Sequence, residues 1–284
     1  MPLVARDLSF SYRDAPRSIL QGLSLDLAPG RVLAVCGAAR SGRSTLLSLL
    51  AGLLAPSSGS IQVDGADVRT VGVRSHVGLL LQNADEGLFG LTVREDVMFA
   101  PRQIDLDPAR ASTLVDNVLR AVHLDPATFA ERSPFSLSGG QRRRAAMAGV
   151  LAMQPRYLLL DEPFAGLDPV GRHEIIAVVR DLATQRFGEH TGILVALSDL
   201  DHALQLADTL VILHGGRAAW QGSTGAFLAE APDVGRWNLS EPASIGVVRQ
   251  LRERGWALDV ERASPAALAE AIVSYLHHCR ARHA

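Results

Sequence analysis

The chain begins with two stretches in which apolar and polar residues alternate, 4–12 and 23–27. Strands with one face in a core and one in water read this way. A turn at Pro29-Gly30 leads into an apolar run, Val32-Leu33-Ala34-Val35-Cys36. Residues 60–65 read as a strand entering a turn, and 77–82 as an apolar strand ending on a polar residue. From about residue 92 to 153 helical patterns dominate, punctuated by Pro101, Pro108, Pro126 and Pro134. Residues 156–161 return to a continuous apolar run, suited to a parallel strand buried on both faces. A helix over 170–186, a strand over 193–197, a helix over 200–207 and a strand over 210–214 follow. This alternation predicts a doubly wound α/β core with a helical insertion in its middle. After Gly225 the pattern weakens, with helices around 245–254 and 264–278, so residues 226–284 read as a small appended domain or interface arm.

Three segments carry candidate chemistry. Between the run ending at Cys36 and the helical stretch of residues 44–50 lies Gly37-Ala38-Ala39-Arg40-Ser41-Gly42-Arg43-Ser44-Thr45. Strand, glycine loop and helix is the context a phosphate-binding loop needs. Backbone N–H groups curl around the phosphates, the helix dipole favours the anion, and a Ser/Thr hydroxyl ligates magnesium. The pattern G-x-x-x-x-G-K-[ST] fits at Gly37, Gly42 and Ser44, but Arg43 stands in place of lysine. The strand at 157–161 delivers two carboxylates, Asp161 and Glu162, to its C-terminal end, where ligands of open α/β sheets bind. There Asp161 would hold magnesium through water and Glu162 would polarise an attacking water. Taken alone, the pair also fits a solvated surface turn. Third, Leu137-Ser138-Gly139-Gly140-Gln141 precedes Arg142-Arg143-Arg144. Ser138 and the glycines can present a hydroxyl and bare N–H groups at a helix start, where a phosphate is favoured. A glycine pair alone also fits a plain helix cap.

Composition narrows the classes. With 284 residues, 48% hydrophobic and 20% charged, the chain is an ordinary globular protein able to bury a large core. Its net charge of -2 implies no basic face on the scale of a nucleic-acid binder. The apolar runs fall far short of the roughly 20 residues that span a bilayer. The first residues show no secretory signal, and two cysteines, Cys36 and Cys279, make no disulfide framework. The expectation is a cytoplasmic chain, with docking on a membrane protein left open. All 28 basic residues are arginine and none is lysine, so Arg43 follows a bias of the whole chain. The chemistry at 43 still differs: lysine is a compact point charge, arginine a longer planar fork.

Together these segments resemble the ATP-binding cassette ATPases over about residues 3–225, with the motifs in the family's order. The resemblance implies an α/β fold with a phosphate-loop nucleotide-binding core, an antiparallel β subdomain, a helical signature subdomain over about 90–155 and a small C-terminal extension. It implies ATP and Mg2+ as bound groups. Tyr12 matches the aromatic residue that stacks on adenine, and Gly37, Ala38, Ala39, Arg40, Ser41, Gly42, Arg43, Ser44 and Thr45 match the phosphate loop. Gln82 matches the glutamine that senses the γ-phosphate and contacts a transmembrane partner. Ser138, Gly139, Gly140 and Gln141 lie in the signature motif, and Gly166-Leu167-Asp168 matches a dimer-contact loop. Asp161 matches the magnesium acid, with Ser44 and Gln82 as further metal ligands, and Glu162 the catalytic base. Residues 82–89 and 92–101, and the tail with Glu241-Pro242 ahead of Val247-Val248-Arg249-Gln250-Leu251, look like the energy-coupling-factor and cobalt-type importer ATPases. In that group two ATPase subunits, often different chains, work with a transmembrane coupling subunit and a membrane substrate-binding subunit for vitamins or metal ions. A peripheral position on the cytoplasmic face of the membrane, with no nucleic-acid partner, is implied.

Three positions depart from the family pattern. Arg43 replaces the phosphate-bridging lysine, Arg40 replaces a glycine where the backbone curls closely, and Ser198 stands where the switch histidine belongs. The expectation is weak hydrolysis at the chain's own site, with an intact signature that completes the site of a different partner ATPase. The competing readings are a nucleotide-binding structural subunit that barely hydrolyses, and a cassette ATPase acting on nucleic acid or ribosomes. Arg142, Arg143 and Arg144 could touch phosphate or neighbouring acids. His277, His278, Cys279 and His283 read as a solvated terminal helix rather than a metal site.

Overall fold

A computed structural model of the chain describes residues 2–13, 17–83, 87–184, 191–256 and 265–282. Strand β1 (Leu3–Phe10) pairs antiparallel with β2 (Leu20–Leu27) and with β4 (Ser58–Val63), and the short β5 (Ala66–Asp67) extends this sheet beyond β4. The alternation along β1 changes phase at a bulge between Ala5 and Leu8, where Asp7 has a φ of 46°. Leu3 and Ala5, then Leu8 and Phe10, thereby all reach the core. Opposite the bulge only glycine fits: a Cβ on Gly59 would lie 2.4 Å from the Arg6 carbonyl oxygen.

The second sheet is mostly parallel. Its strands are β3 (Val32–Cys36), β6 (Val77–Leu80), β7 (Tyr157–Asp161), β8 (Gly192–Leu197), β9 (Thr209–His214) and β10 (Arg217–Ser223), in the order β10-β9-β3-β8-β7-β6. β10 pairs antiparallel with β9, and the other pairings are parallel. The continuous apolar runs have a plain cause. Val32, Ala34, Cys36, Leu158 and Leu160 face one core, while Leu33, Val35, Tyr157 and Leu159 face the other. Each fully buried leucine of such a strand contributes roughly 1.5–3 kcal/mol relative to exposure.

Between the two sheets lies helix α1 (Arg43–Leu50), whose Leu46, Leu47, Leu49 and Leu50 are buried. The opposite face carries α2 (Val93–Gln103), α3 (Pro108–Ala121), the short α4 (Pro126–Phe129), α5 (Gly139–Leu151), α6 (Pro169–Ala183) and α7 (Leu200–Leu206). The expected helical insertion is thus present. Strand β10 escapes the apolar pattern because it is a sheet edge with mostly exposed residues.

After β10 come α8 (Thr224–Glu230), α9 (Ala243–Glu253) and α10 (Pro265–Arg282). Val234, Trp237, Ile245 and Val248 join the same core as α7. The Asp201 carboxylate accepts hydrogen bonds from the Ala243 N–H and the Ser244 hydroxyl, each at 3.3 Å, tying the start of α9 to α7. His283 and the side chains of His277, His278 and Cys279 lie outside the described residues.

Candidate nucleotide site at the sheet edge

Parallel strands end on the same side, so the order β3-β8-β7-β6 sets four chain segments side by side. Gly37 follows β3, Ser198 follows β8, Asp161 and Glu162 end β7, and Gln82 follows β6. Backbone bonds stitch them at the edge: the Gly37 N–H donates to the Leu197 carbonyl at 3.2 Å, and the Glu162 N–H to the Ala196 carbonyl at 3.0 Å. The structure thereby brings together residues far apart in the chain.

The loop after β3 is closely packed and opens directly into α1. A Cβ on Gly37 would lie 2.5 Å from both the Leu213 carbonyl oxygen and Ser41 Oγ, so a side chain is excluded there. Gly42 caps α1 with φ of 104° and offers no side-chain acceptor, which leaves the first N–H groups of the helix without a capping oxygen. Arg40 is exposed and adopts φ of 63°, the left-handed conformation that glycine takes freely. The loop keeps its curl despite the arginine. Tyr12 is half exposed, packs edge-on against Phe10, and its hydroxyl lies 3.3 Å from Thr45 Oγ1.

Arg43 is the departure with the largest structural consequence. Its Nη2 donates to Glu162 Oε1 at 2.6 Å, and its Nη1 to the Ala38 carbonyl at 3.2 Å. The two side chains are only 12% and 15% exposed, and Arg43 Nε is buried with no hydrogen-bond partner. Glu162 itself has φ of 44°, a strained conformation held by its neighbours. Its carbonyl accepts from the Ala165 N–H at 3.1 Å and from Arg143 Nη1 at 3.5 Å. Sequence reasoning missed this pairing, because nothing local links residues 43 and 162.

Asp161 is 3% exposed, and no hydrogen bond to its carboxylate occurs among the described residues. Ser44 is exposed at the first turn of α1. A buried carboxylate without an internal donor, at the same sheet edge as the loop that carries Ser44, is of the kind that could hold a divalent cation. No cluster of three or more His, Cys, Asp or Glu suited to a metal occurs among the described residues.

Ser198 is exposed. The next residue, Asp199, accepts from the Asp201 N–H and pairs with His202 Nδ1 at 3.1 Å. The hydrogen bond from His202 is the main reason the Asp199 carboxyl sits below its ordinary range. The His202 ring also lies against Phe164, 5.0 Å between centroids, so this histidine is engaged away from position 198. Cys36 beneath the loop is fully buried, and burial pushes its thiol far up, leaving it inert.

The signature turn is ordered by its own residues. Ser138 Oγ accepts from the Gln141 N–H at 3.3 Å while Gln141 Oε1 accepts from the Ser138 N–H at 3.0 Å, a complete capping box. Ser138 and Gly139 are exposed. The arginines behind them are structural. Arg142 bonds the Leu137 carbonyl, while buried Arg144 bonds the His123 carbonyl and pairs with Glu174 at 3.0 Å. Asp168 caps α6 by accepting from the Gly171 N–H at 2.7 Å.

Fold and edge together define a phosphate-loop nucleotide-binding protein carrying a helical signature insertion. The family described as ABC transporter matches residues 20–165. The energy-coupling factor transporter ATP-binding protein EcfA2 of Symbiobacterium thermophilum is 40% identical over 268 residues, 91% of each chain. The cobalt import ATP-binding protein CbiO of Syntrophus aciditrophicus is 32% identical, covering 88% of each. The solved structure of cbiO1 from Clostridium perfringens, described as part of the ABC transporter complex cbiONQ, superposes with a TM-score of 0.75 at 30% identity, over 87% of this chain and 98% of that one. The chain belongs to the ABC transporter ATPases, in the energy-coupling factor and cobalt-type group, and is an ATPase of the transport-coupled class. No helix among the described residues is long and apolar enough to cross a membrane.

Proposed function

We propose that this chain is one of two ATPase subunits of an energy-coupling-factor-type importer for vitamins or metal ions, lying peripherally on the membrane. Its signature turn completes the ATP site of a different partner ATPase, while its own site binds nucleotide and turns it over slowly. The observation that carries the reading is the contrast at the two helix starts. Ser138 and Gly139 are exposed on a turn already locked by its capping box, whereas the chain's own edge presents Ser198, and His202 is held by Asp199.

In the chain's own site, the N–H groups at the start of α1 would bind the phosphates and Tyr12 would stack on the base. Ser44, Asp161 and Gln82 would hold Mg2+, which when bound neutralises phosphate charge. Glu162 would orient and deprotonate water, and Ser198 can donate a hydrogen bond but cannot carry a cation to the γ-phosphate. In the partner's site, the Ser138 hydroxyl and the Gly139 and Gly140 N–H groups would meet the terminal phosphate from the opposite side.

A shallow apolar groove of about 280 Å³ beside Gln82, lined by Leu81, Phe89, Phe99 and Met153, supports docking of the transmembrane coupling subunit. Phe89 and Phe99 stack edge-on at 5.2 Å and remain exposed, an arrangement typical of an uncovered contact surface.

The test is ATPase activity of the purified chain, and of the two-ATPase complex with the glutamate base changed to glutamine in either subunit. The chain alone should be nearly inactive, and Glu162→Gln should leave most of the turnover of the complex. Brisk hydrolysis by the chain alone, or abolition of turnover by Glu162→Gln, overturns the asymmetric reading. Co-purification with a transmembrane subunit checks the transport assignment.

A further inference from the structure

The Arg43–Glu162 pair joins the cation of the phosphate loop to the group placed to activate water. One carboxylate oxygen lies 2.6 Å from Nη2, a charge-assisted bond between side chains largely withdrawn from solvent. A carboxylate so engaged is a poor proton acceptor, and a guanidinium so engaged is not free for phosphate. Both groups therefore have a second call on them in a loaded site. The fork of arginine makes the arrangement possible: Nη1 holds the Ala38 carbonyl of the loop while Nη2 reaches Glu162. The Arg43 Nε is buried and unpartnered, so one donor of the guanidinium is unused.

We infer that Arg43 gates Glu162: it holds the base, and nucleotide binds by exchange, a phosphate oxygen displacing the carboxylate from the guanidinium. The exchange rests on Gly37–Thr45 being a phosphate loop. It releases the base only when phosphate is present, and it weakens nucleotide affinity by the strength of the pair that is broken. No bond is made or cleaved in this step; one acceptor of the guanidinium replaces another.

The experiment is calorimetric titration of the full-length chain with ADP, which undergoes no turnover, across a double-mutant cycle. The four proteins are wild type, Glu162→Gln, Arg43→Ala and the double variant. Glu162→Gln should tighten ADP binding by about fivefold or more in the wild-type background, and by less than about twofold when Arg43 is already alanine. The alanine background separates exchange from the general relief of removing a negative charge near phosphates. Unchanged or weaker binding by Glu162→Gln, or equal tightening in both backgrounds, overturns the gate. Failure of wild type and every variant to bind ADP overturns the phosphate-loop reading itself, and the gate with it. Thermal melting confirms folding. If Glu162→Gln does not fold, Glu162→Asp, which withdraws the carboxylate by one methylene, is read in the same cycle with the same expectations.

Discussion

The phosphate loop and the signature turn use one device, a glycine-containing loop opening into a helix, and differ in what meets the helix start. At α5 the chain supplies its own caps, Ser138 and Gln141, so the turn is complete without a ligand. At α1 the cap is Gly42 with no side-chain acceptor, and the nearest charge, Arg43, is turned onto Glu162. One half is finished and exposed, and the other is open and internally paired. A self-capped turn is suited to serve a neighbour's ligand, whereas an uncapped helix start depends on a ligand of its own.

The largest expected effect tests the internal pairing. Arg43→Met leaves the Glu162 carboxylate mostly buried and unpaired, and should lower unfolding free energy by about 3 kcal/mol. Adding Glu162→Leu should recover most of that loss, because an apolar pair replaces an ionic one. Denaturant unfolding of the two variants measures both, and a double variant as unstable as the single one breaks the account. On the other half, Ser138→Arg should reduce turnover of the two-ATPase complex about 100-fold while leaving the stability of this chain within about 1 kcal/mol. Steady-state ATPase assays and melting curves read these separately. If turnover survives, the signature of this chain is not needed by a partner.

Smaller effects sharpen the comparison at the loop. Arg40→Gly should stabilise the chain by up to about 1 kcal/mol, since φ of 63° strains arginine and suits glycine. Thermal unfolding checks it, and destabilisation would show that the arginine side chain makes compensating contacts. The smallest effect concerns Asp199, whose carboxyl is held low chiefly by the His202 hydrogen bond. Its stabilisation is full above the unfolded carboxylate value of about 3.9 and is lost as pH falls through the lower folded value. Both partners being partly solvated, the contribution stays under about 1 kcal/mol. His202→Asn should flatten the stability–pH curve in that acid range, as denaturant titrations at several pH values would show.

Much of the fold was legible from pattern. The runs at 32–36, 157–161 and 193–197 are unbroken because both faces of these strands are buried, and the phosphate loop follows the first of them directly. The helix start at Ser138 and the glycine pair was likewise legible locally, while its capping box with Gln141 came from the structure. Other features left no local trace. β10 is an edge strand with little to bury, so its residues carry no alternation. Residues 234–248 read as part of a separate tail, yet Trp237, Ile245 and Val248 share the core of α7, since a few apolar side chains suffice for docking without a strong periodic pattern. The arginines after the signature were ambiguous as charges and proved to be held by carbonyls and Glu174.

The amino-acid order by itself determined most of the strands, the helical insertion, the two glycine turns and the three substitutions at 40, 43 and 198, because each depends on neighbours within a few residues. Only the tertiary structure decided what Arg43 does. The order of the parallel strands brings the end of β7 near the loop after β3, and there a largely buried guanidinium pairs with the Glu162 carboxylate. Charge pairing in a poorly solvated site depends on distance in space, and the two residues become neighbours only when the sheet assembles.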